Sequence, residues 1–334
     1  MKAHVLVVST ALDLSTDAVV RSLTKRGVRV TRWNTEDFPL ACRLTSRVGR
    51  TAGDTTAELT RPGAPLIALS DVTAVWYRRV RIPDRPPTMD EGVYDFCVRE
   101  SRAALHGALL GGLPSEARWM SPPPAVWAAE HKLFQLRVAR DVGMVIPETV
   151  VTNDAAEARV AFARFGGQMI AKPVRTGYIE IGGAPHAIYT SAVSASDLED
   201  MSGAELSPVI YQPLIPKRCD VRVTVVGDQL FIAEIDSQGN EAAKVDWRRT
   251  DDPLLPHRRG SIPDELAAAV REFMRRLGLT FGALDFVATP DGELVFLEVN
   301  PNGQWLWLDD QLELGISDTV AQWLAPEGQM GEIR

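Results

Sequence analysis

No apolar run in the 334 residues reaches the roughly 18 needed for a membrane-spanning helix, so a membrane partner is not expected. Cysteine is scarce. Cys42, Cys97 and Cys219 lie far apart without metal-type spacing, which argues against a disulfide framework and suits a reducing, cytoplasmic setting. Positive charge is not in excess: the formal net charge is −8, and the basic clusters WYRRVR and DWRRTDD are short and close to acids. A nucleic-acid partner therefore has little support. The first strand is not followed by the glycine fingerprint of a dinucleotide oxidoreductase, since it continues as VLVVSTALDLS. There is no convincing Ser/His/Asp or Cys/His set, and His131 and His257 read as ordinary surface histidines. The opening MKAHVLVVSTALDLSTDAVV could pass for a signal peptide, but Asp13 and Asp17 interrupt it; a strand, a loop and a helix fit better.

What is present is an ordinary globular composition, 45% hydrophobic and 24% charged, on a chain long enough for two or three lobes. HVLVVST (4–10), a helix from Thr16 to Arg26 and GVRVTRWN make a βαβ start, hence an α/β lobe with a mostly parallel sheet. TAVWYRRV (73–80) is another strand, ending in Arg78, Arg79 and Arg81, and Tyr94 to Leu110 has helical periodicity. Pro122, Pro123 and Pro124 mark a boundary. Beyond it, Pro124 to Val142 predicts one long helix stopped by Gly143, followed by strand, helix and strand up to Lys172. Further strands are joined by the hairpin signal Val226-Gly227-Asp228-Gln229. A helix over Pro263 to Leu277 precedes two closing strands, and a last helix covers Ile316 to Leu324. The fold class read from this is α/β with α+β lobes, divided at 1–120, 121–206 and 207–334.

The two closing strands carry the strongest chemical signal. FGALDFVATP and ELVFLEVNP flank Asp291-Gly292, a two-residue hairpin signature. With that loop Pro290 faces Glu293, and counting outwards sets Asp285 opposite Glu298. Strand alternation then puts Asn300 on the same face, with Leu297 and Val299 turned into a core. A longer, bulged turn would shift this register. Two carboxylates at cross-strand distance need a cation or a proton between them, and hard oxygen donors suit Mg²⁺; the bland alternative is a solvated acidic face. Lys172 ends a buried strand before a loop containing Gly177, Gly182 and Gly183, whose amides could approach a phosphate; a strand-end lysine beside a surface turn is the competing reading. By spacing alone Lys132 is a solvated helix lysine. In YQPLIPKRCDVR the carbonyl of Pro213 and the amide of Leu214 or Ile215 could pair with an adenine edge. Asp220 and Arg222 alternate to one side, offering a carboxylate to ribose hydroxyls and a cation to a phosphate, although such pairs are more often surface ion pairs.

In order, AAEHKLFQLRVARDVGMVIPETVVTN, MIAKPV, YQPLIPKRCDVRVTVVG, IDSQGNEAAKVDWRR and FGALDFVATPDGELVFLEVNPNGQW resemble ATP-grasp ligases. The DWR at 246–248 and NPNGQW at 300–305 narrow the resemblance to the ATP-grasp maturases of microviridins and related graspetides, and it spans nearly the whole chain, including VWYRR of the front lobe. It implies an ATP-grasp fold with a front pre-ATP-grasp lobe, a central lobe and a C-terminal lobe, using ATP and Mg²⁺. Lys132 and Lys172 would hold phosphates, Gln212, Pro213, Leu214 and Ile215 would line adenine, and Asp220 would bind ribose. Asp285, Glu298 and Asn300 would ligate Mg²⁺, Arg222 would steady the transferred phosphoryl group, and Lys244 and Arg248 would lie near the γ-phosphate or the acceptor carboxylate. Pro213 stands where many relatives have Glu. The activity implied is activation of Asp or Glu side chains of a precursor peptide and their linkage to Thr, Ser or Lys. Arg78, Arg79, Arg248 and Arg249 are candidates for meeting its acidic core, with solvated strand-end and loop arginines as the competing reading; its leader segment would dock on the central lobe, and a homodimer is expected. Glutamate addition to a protein tail, small amino-acid ligation and a non-catalytic nucleotide-binding module are the alternatives.

Overall fold

The computed structural model describes residues 2–51, 53–175, 177–182, 184–249 and 255–326. The chain divides into two compact units, Met1–Pro123 with Gly315–Arg334, and Pro124–Leu314. No helix among the described residues is long and apolar enough to cross a membrane.

In the first unit His4–Ser9 is the centre of a parallel sheet, between Arg29–Asn34 and Ala74–Tyr77; the latter pairs in turn with Arg118–Met120. All six residues of His4–Ser9 are buried, as expected for a parallel strand covered on both faces. The helix Leu14–Lys25 begins at Asp13, whose side chain accepts the Thr16 amide and satisfies one of the orphan donors of the first turn. Ile316–Leu324 packs against that helix, and Ser22 Oγ donates to Asp318 Oδ1. The helix expected around Tyr94–Leu110 runs over Glu91–Gly112, capped by Asp90.

Among the described residues the second unit holds a two-stranded antiparallel ribbon, Tyr178–Ile181 with Ala184–Ala187, and two larger antiparallel sheets. One orders Ser191–Val193, Met169–Pro173, Val209–Pro213 and Val150–Thr152; the other orders His257–Arg259, Gln229–Ile235, Cys219–Val226, Phe281–Ala288 and Leu294–Asn300. Behind the five-stranded sheet, Asp264–Leu277 buries Val270, Phe273, Met274 and Leu277 on one helical face. Phe273 meets Phe296 edge-on at 5.2 Å.

Two expectations change here. The long helix from Pro124 breaks into Pro123–Ala129 and Lys132–Asp141, so Lys132 opens the second helix. The closing hairpin is wider than two residues: Ala288 pairs with Leu294, the Thr289 amide donates to Glu293 O (2.9 Å) and the Gly292 amide to Thr289 O (3.0 Å). That shifts the register by one. A bulge then inserts Leu297 between Phe296, opposite Phe286, and Glu298, opposite Asp285. The two departures cancel, and the carboxylates face each other as the simple count had it. Leu297, however, joins the cavity wall instead of the core. By contrast the Val226–Gln229 hairpin closes on two residues, with Gly227 at φ 60°.

Candidate active site

Within the Pro124–Leu314 unit, side chains from both sheets line one cavity of about 400 Å³. Six cations (Lys132, Lys172, Arg175, Lys217, Lys244 and Arg248) face four carboxylates, Asp220, Asp246, Asp285 and Glu298. This surplus of positive charge in a concave site is what an anionic ligand requires.

At one end lies the acidic pair. Arg222 Nη1 sits 2.6 and 2.8 Å from the two oxygens of Asp285, and Arg222 Nη2 donates to Gln304 O at 3.3 Å. Asn300 Nδ2 donates to Asp285 Oδ2 (3.1 Å). Lys132 Nζ is 2.9 Å from Glu298 Oε2 and donates to Pro173 O at 3.3 Å. Burial, reinforced by Glu298, holds the Asp285 carboxyl above the usual carboxylate range, against the pull of Arg222. Burial acts on Glu298 in the same sense, but Lys132, Lys172 and Arg248 outweigh it and bring it to about 2. Two unlike cations thus hold the oxygens that a divalent ion would take. Among the described residues no group of three or more His, Cys, Asp or Glu could hold a metal. A metal here would have two carboxylates and the Asn300 amide oxygen, an all-oxygen set that fits Mg²⁺ because that ion completes its shell with waters and phosphates.

Lys172, the penultimate residue of Met169–Pro173, is buried, and desolvation lowers its pKa to about 8 even though Glu298 pulls the other way. Gln212, Pro213, Leu214 and Ile215 line the neighbouring wall with Ile170 and Leu297. Gln212 Nε2 donates to Thr149 Oγ1 at 2.9 Å. The Leu214 amide donates to Gln168 O (2.9 Å), so of the two amides considered, Leu214 is already engaged. Asp220 faces the cavity, but Lys217 Nζ reaches its oxygens at 2.7 and 2.9 Å and Ser237 Oγ donates to it. Burial raises its pKa, with Lys217 and Ser237 opposing.

Lys244 pairs with Glu241 and is 43% exposed. Arg248 forks onto Asp246, Nε to Oδ1 at 2.8 Å and Nη2 to Oδ2 at 2.7 Å, and this bond raises its already high pKa. Asp246 also accepts the Thr190 amide (3.1 Å). His257 departs from a surface position, meeting the Trp307 ring edge-on with ring centroids 4.6 Å apart. Gly183 lies outside the described residues.

The two front arginines belong to the other unit, and they differ. Arg78 is fully enclosed, its Nε 3.4 Å from an equally buried Asp13. That burial is at odds with a peptide-facing role. Arg79 is 45% exposed, 4.0 Å from the same carboxylate. Burial would raise Asp13, but Arg78, the Thr16 amide and Arg79 bring it below the usual carboxylate range.

Residues passed over in the sequence complete the site: Lys217 beside Asp220, Asp246 beneath Arg248, Glu130 paired with Arg175 at 2.6 Å, and Gln135 on the Lys132 helix. All four lie inside the family-like motifs of the sequence, and Gln135 has in addition an i, i+3 spacing from Lys132.

The family described as the MvdD pre-ATP-grasp domain matches residues 4–126. The solved structures that resemble the chain over nearly its full length include three of this kind. The macrocyclase MdnC from Microcystis aeruginosa MRC, bound with precursor peptide MdnA, is 29% identical over 96% of this chain and 99% of its own, at TM-score 0.84. An RiPP-associated ATP-grasp ligase from Chryseobacterium gregarium, in complex with ADP and a leader and core peptide, is 28% identical over 99% and 100%, at TM-score 0.88. The macrocyclase MdnB from Microcystis aeruginosa MRC is 33% identical over 97% and 99%, at TM-score 0.80. No curated protein matches the chain.

Proposed function

The chain belongs to the ATP-grasp peptide macrocyclases, and from that premise we propose that it closes rings in a ribosomally made precursor peptide. It activates Asp or Glu side chains with ATP and joins them to Thr, Ser or Lys side chains of the same peptide. The observation that carries this is the cavity itself, where paired Asp285 and Glu298 meet a surplus of cations. A triphosphate and a carboxylate can approach only where charge is neutralised from several sides.

The reaction needs no enzyme nucleophile. A substrate carboxylate oxygen attacks the γ-phosphorus; the bond to the bridging oxygen breaks and ADP leaves. The hydroxyl or amine then attacks the acyl phosphate carbonyl, loses its proton, and expels phosphate. Lys172 and Lys132 hold phosphate oxygens as point charges, the Ile215 amide and the Pro213 carbonyl offer an edge to adenine, and Asp220 with Lys217 faces the ribose. Lys244 and Arg248 receive the acceptor carboxylate; Asp246 keeps the Arg248 fork aimed. Arg222 holds Asp285 while phosphoryl charge develops nearby. Mg²⁺, when bound by Asp285, Glu298 and Asn300, supplies the further neutralisation of the phosphate tail.

Within the second unit we assign the four-stranded sheet to the central lobe, which carries that lobe past residue 206 to include Val209–Pro213, and the five-stranded sheet to the C-terminal lobe. A leader segment docking on the central lobe, a homodimeric state and a cytoplasmic setting, which the free cysteines suit, complete the proposal. The test is incubation with ATP, Mg²⁺ and a peptide bearing a leader and a Thr- and Asp/Glu-rich core. Loss of the mass of one water per ring, matched by ADP, is expected. A gain of glutamate mass, or ADP release without water loss, would overturn the macrocyclase assignment.

A further inference from the structure

Among the described residues, the strand Leu294–Asn300, which carries Glu298 and Asn300, lies at the edge of its sheet, with Phe281–Ala288 on one side and a single bridge from Val295 to Val145 on the other. An edge strand presents amides and carbonyls that no second strand pairs, so their partners must come from elsewhere. At one end that partner is backbone, the Phe296 amide donating to Val145 O at 2.9 Å. At the catalytic end it is a side chain. Gln135 Oε1 accepts the Val299 amide at 2.9 Å, while Gln135 Nε2 donates to the Val299 carbonyl at 3.0 Å. The side-chain amide thus imitates a neighbouring strand at the residue between Glu298 and Asn300. Gln135 is 2% exposed, and its Nε2 also donates to Ala129 O, the carbonyl where the preceding helix ends.

Three residues earlier on the same helix, Lys132 binds Glu298 itself. One helical face therefore holds the strand twice, through its backbone at Val299 and through its carboxylate at Glu298. Buried groups that fix the orientation of first-sphere ligands are worth as much to a site as some ligands are. We propose that Gln135 is a positioning residue for the divalent-metal site, fixing the backbone of Val299 so that Glu298 and Asn300 present their oxygens together. The inference rests on the metal role assigned above to those two residues.

Two near-isosteric variants test it. Q135M removes both hydrogen bonds to Val299 while keeping volume; Q135E keeps the acceptor but sets a carboxylate against the Val299 carbonyl. Mg²⁺ binding in the presence of ADP is measured by calorimetry, metal-free ADP binding by fluorescence of a labelled analogue, and folding by thermal unfolding. For Q135M the Mg²⁺ Kd should rise by about tenfold or more, within the range for lost outer-sphere partners, with metal-free ADP binding changed less than about twofold. Q135E should show a similar loss at pH 8. The loss should shrink towards pH 6, because a buried, repelled carboxyl takes up a proton readily and as an acid can donate to Val299 again. That pH pair keeps the test decisive if Q135M does not fold. Unchanged Mg²⁺ affinity in Q135E at pH 8, or equal loss of metal and metal-free binding, would overturn the proposal. E298Q run in parallel separates the two layers: if it too leaves Mg²⁺ affinity unchanged, the metal assignment fails; if it weakens Mg²⁺ and Q135E does not, only the positioning role fails.

Discussion

Lys172 occupies a place that works against its own charge. Burial lowers its pKa to about 8, so in the nucleotide-free protein it is largely neutral at pH 9 and largely charged at pH 6.5. A phosphate beside it favours the ammonium form and raises the pKa again. ADP binding at pH 9 should therefore take up a substantial fraction of one proton, and at pH 6.5 almost none. Calorimetry in buffers of different ionisation enthalpy reads this directly, and K172M should abolish the uptake; release of a proton at pH 9 would show that Lys172 does not meet phosphate. Glu298 makes the complementary case. Its carboxylate is held ionised by Lys132, Lys172 and Arg248, and E298Q removes the charge while keeping the shape. We expect loss of ADP formation by at least about a hundredfold, the scale of losing one preorganised electrostatic contact, with the unfolding temperature maintained. Turnover at the normal rate would refute the metal role.

At the scale of elements, the closing hairpin shows what a sequence can and cannot disclose. Asp291-Gly292 announces a turn, but the side chain and amide of Thr289 draw the Glu293 carbonyl into a wider loop, and nothing local predicts that Leu297 will bulge. The pairing of Asp285 with Glu298 was legible only because two register departures cancel. The fate of Leu297 was not. Alternation would send it to the core, where truncation to Ala would cost about 2–5 kcal/mol of stability. On the cavity wall the loss falls on ligand binding instead. L297A should weaken nucleotide binding by about tenfold, in line with the value of a few lost methylene contacts in a pocket, and leave the unfolding midpoint nearly unchanged. The opposite pattern would place Leu297 in the core. The break between Pro123–Ala129 and Lys132–Asp141 was equally hidden, because AAEHK contains no glycine or proline. Its physical support, Lys132 on Glu298 and Gln135 on Val299, comes from a single strand far along the chain.

Across the whole molecule, the order of most elements and the facing of Asp285 with Glu298 followed from periodicity and hairpin signals, while the roles expected of Lys132, Lys244 and Arg248 came from the family resemblance alone; burial was not readable. Arg78 and Arg79 are neighbours in one strand-end cluster, and sequence offers no way to rank them. In the fold they have opposite fates. Arg78 is enclosed against Asp13, which also caps Leu14–Lys25, so removing the guanidinium leaves a buried carboxylate without its main partner. R78A should destabilise the protein by about 3–5 kcal/mol, the cost of breaking rather than replacing a buried pair. Any lost turnover should then track the fraction folded. Arg79 is half in solvent and shares Asp13 only at 4.0 Å, so R79A should leave the unfolding midpoint within about 0.5 kcal/mol of wild type. If Arg79 meets the acidic core of the peptide, that variant should raise the KM for the peptide severalfold while the KM for ATP stays constant. Chemical denaturation combined with mass-spectrometric assays of ring closure distinguishes the two arginines. A stable R78A protein with selectively weakened peptide binding would reverse their roles, and would mean that the first unit opens far enough in solution to expose a side chain it otherwise encloses.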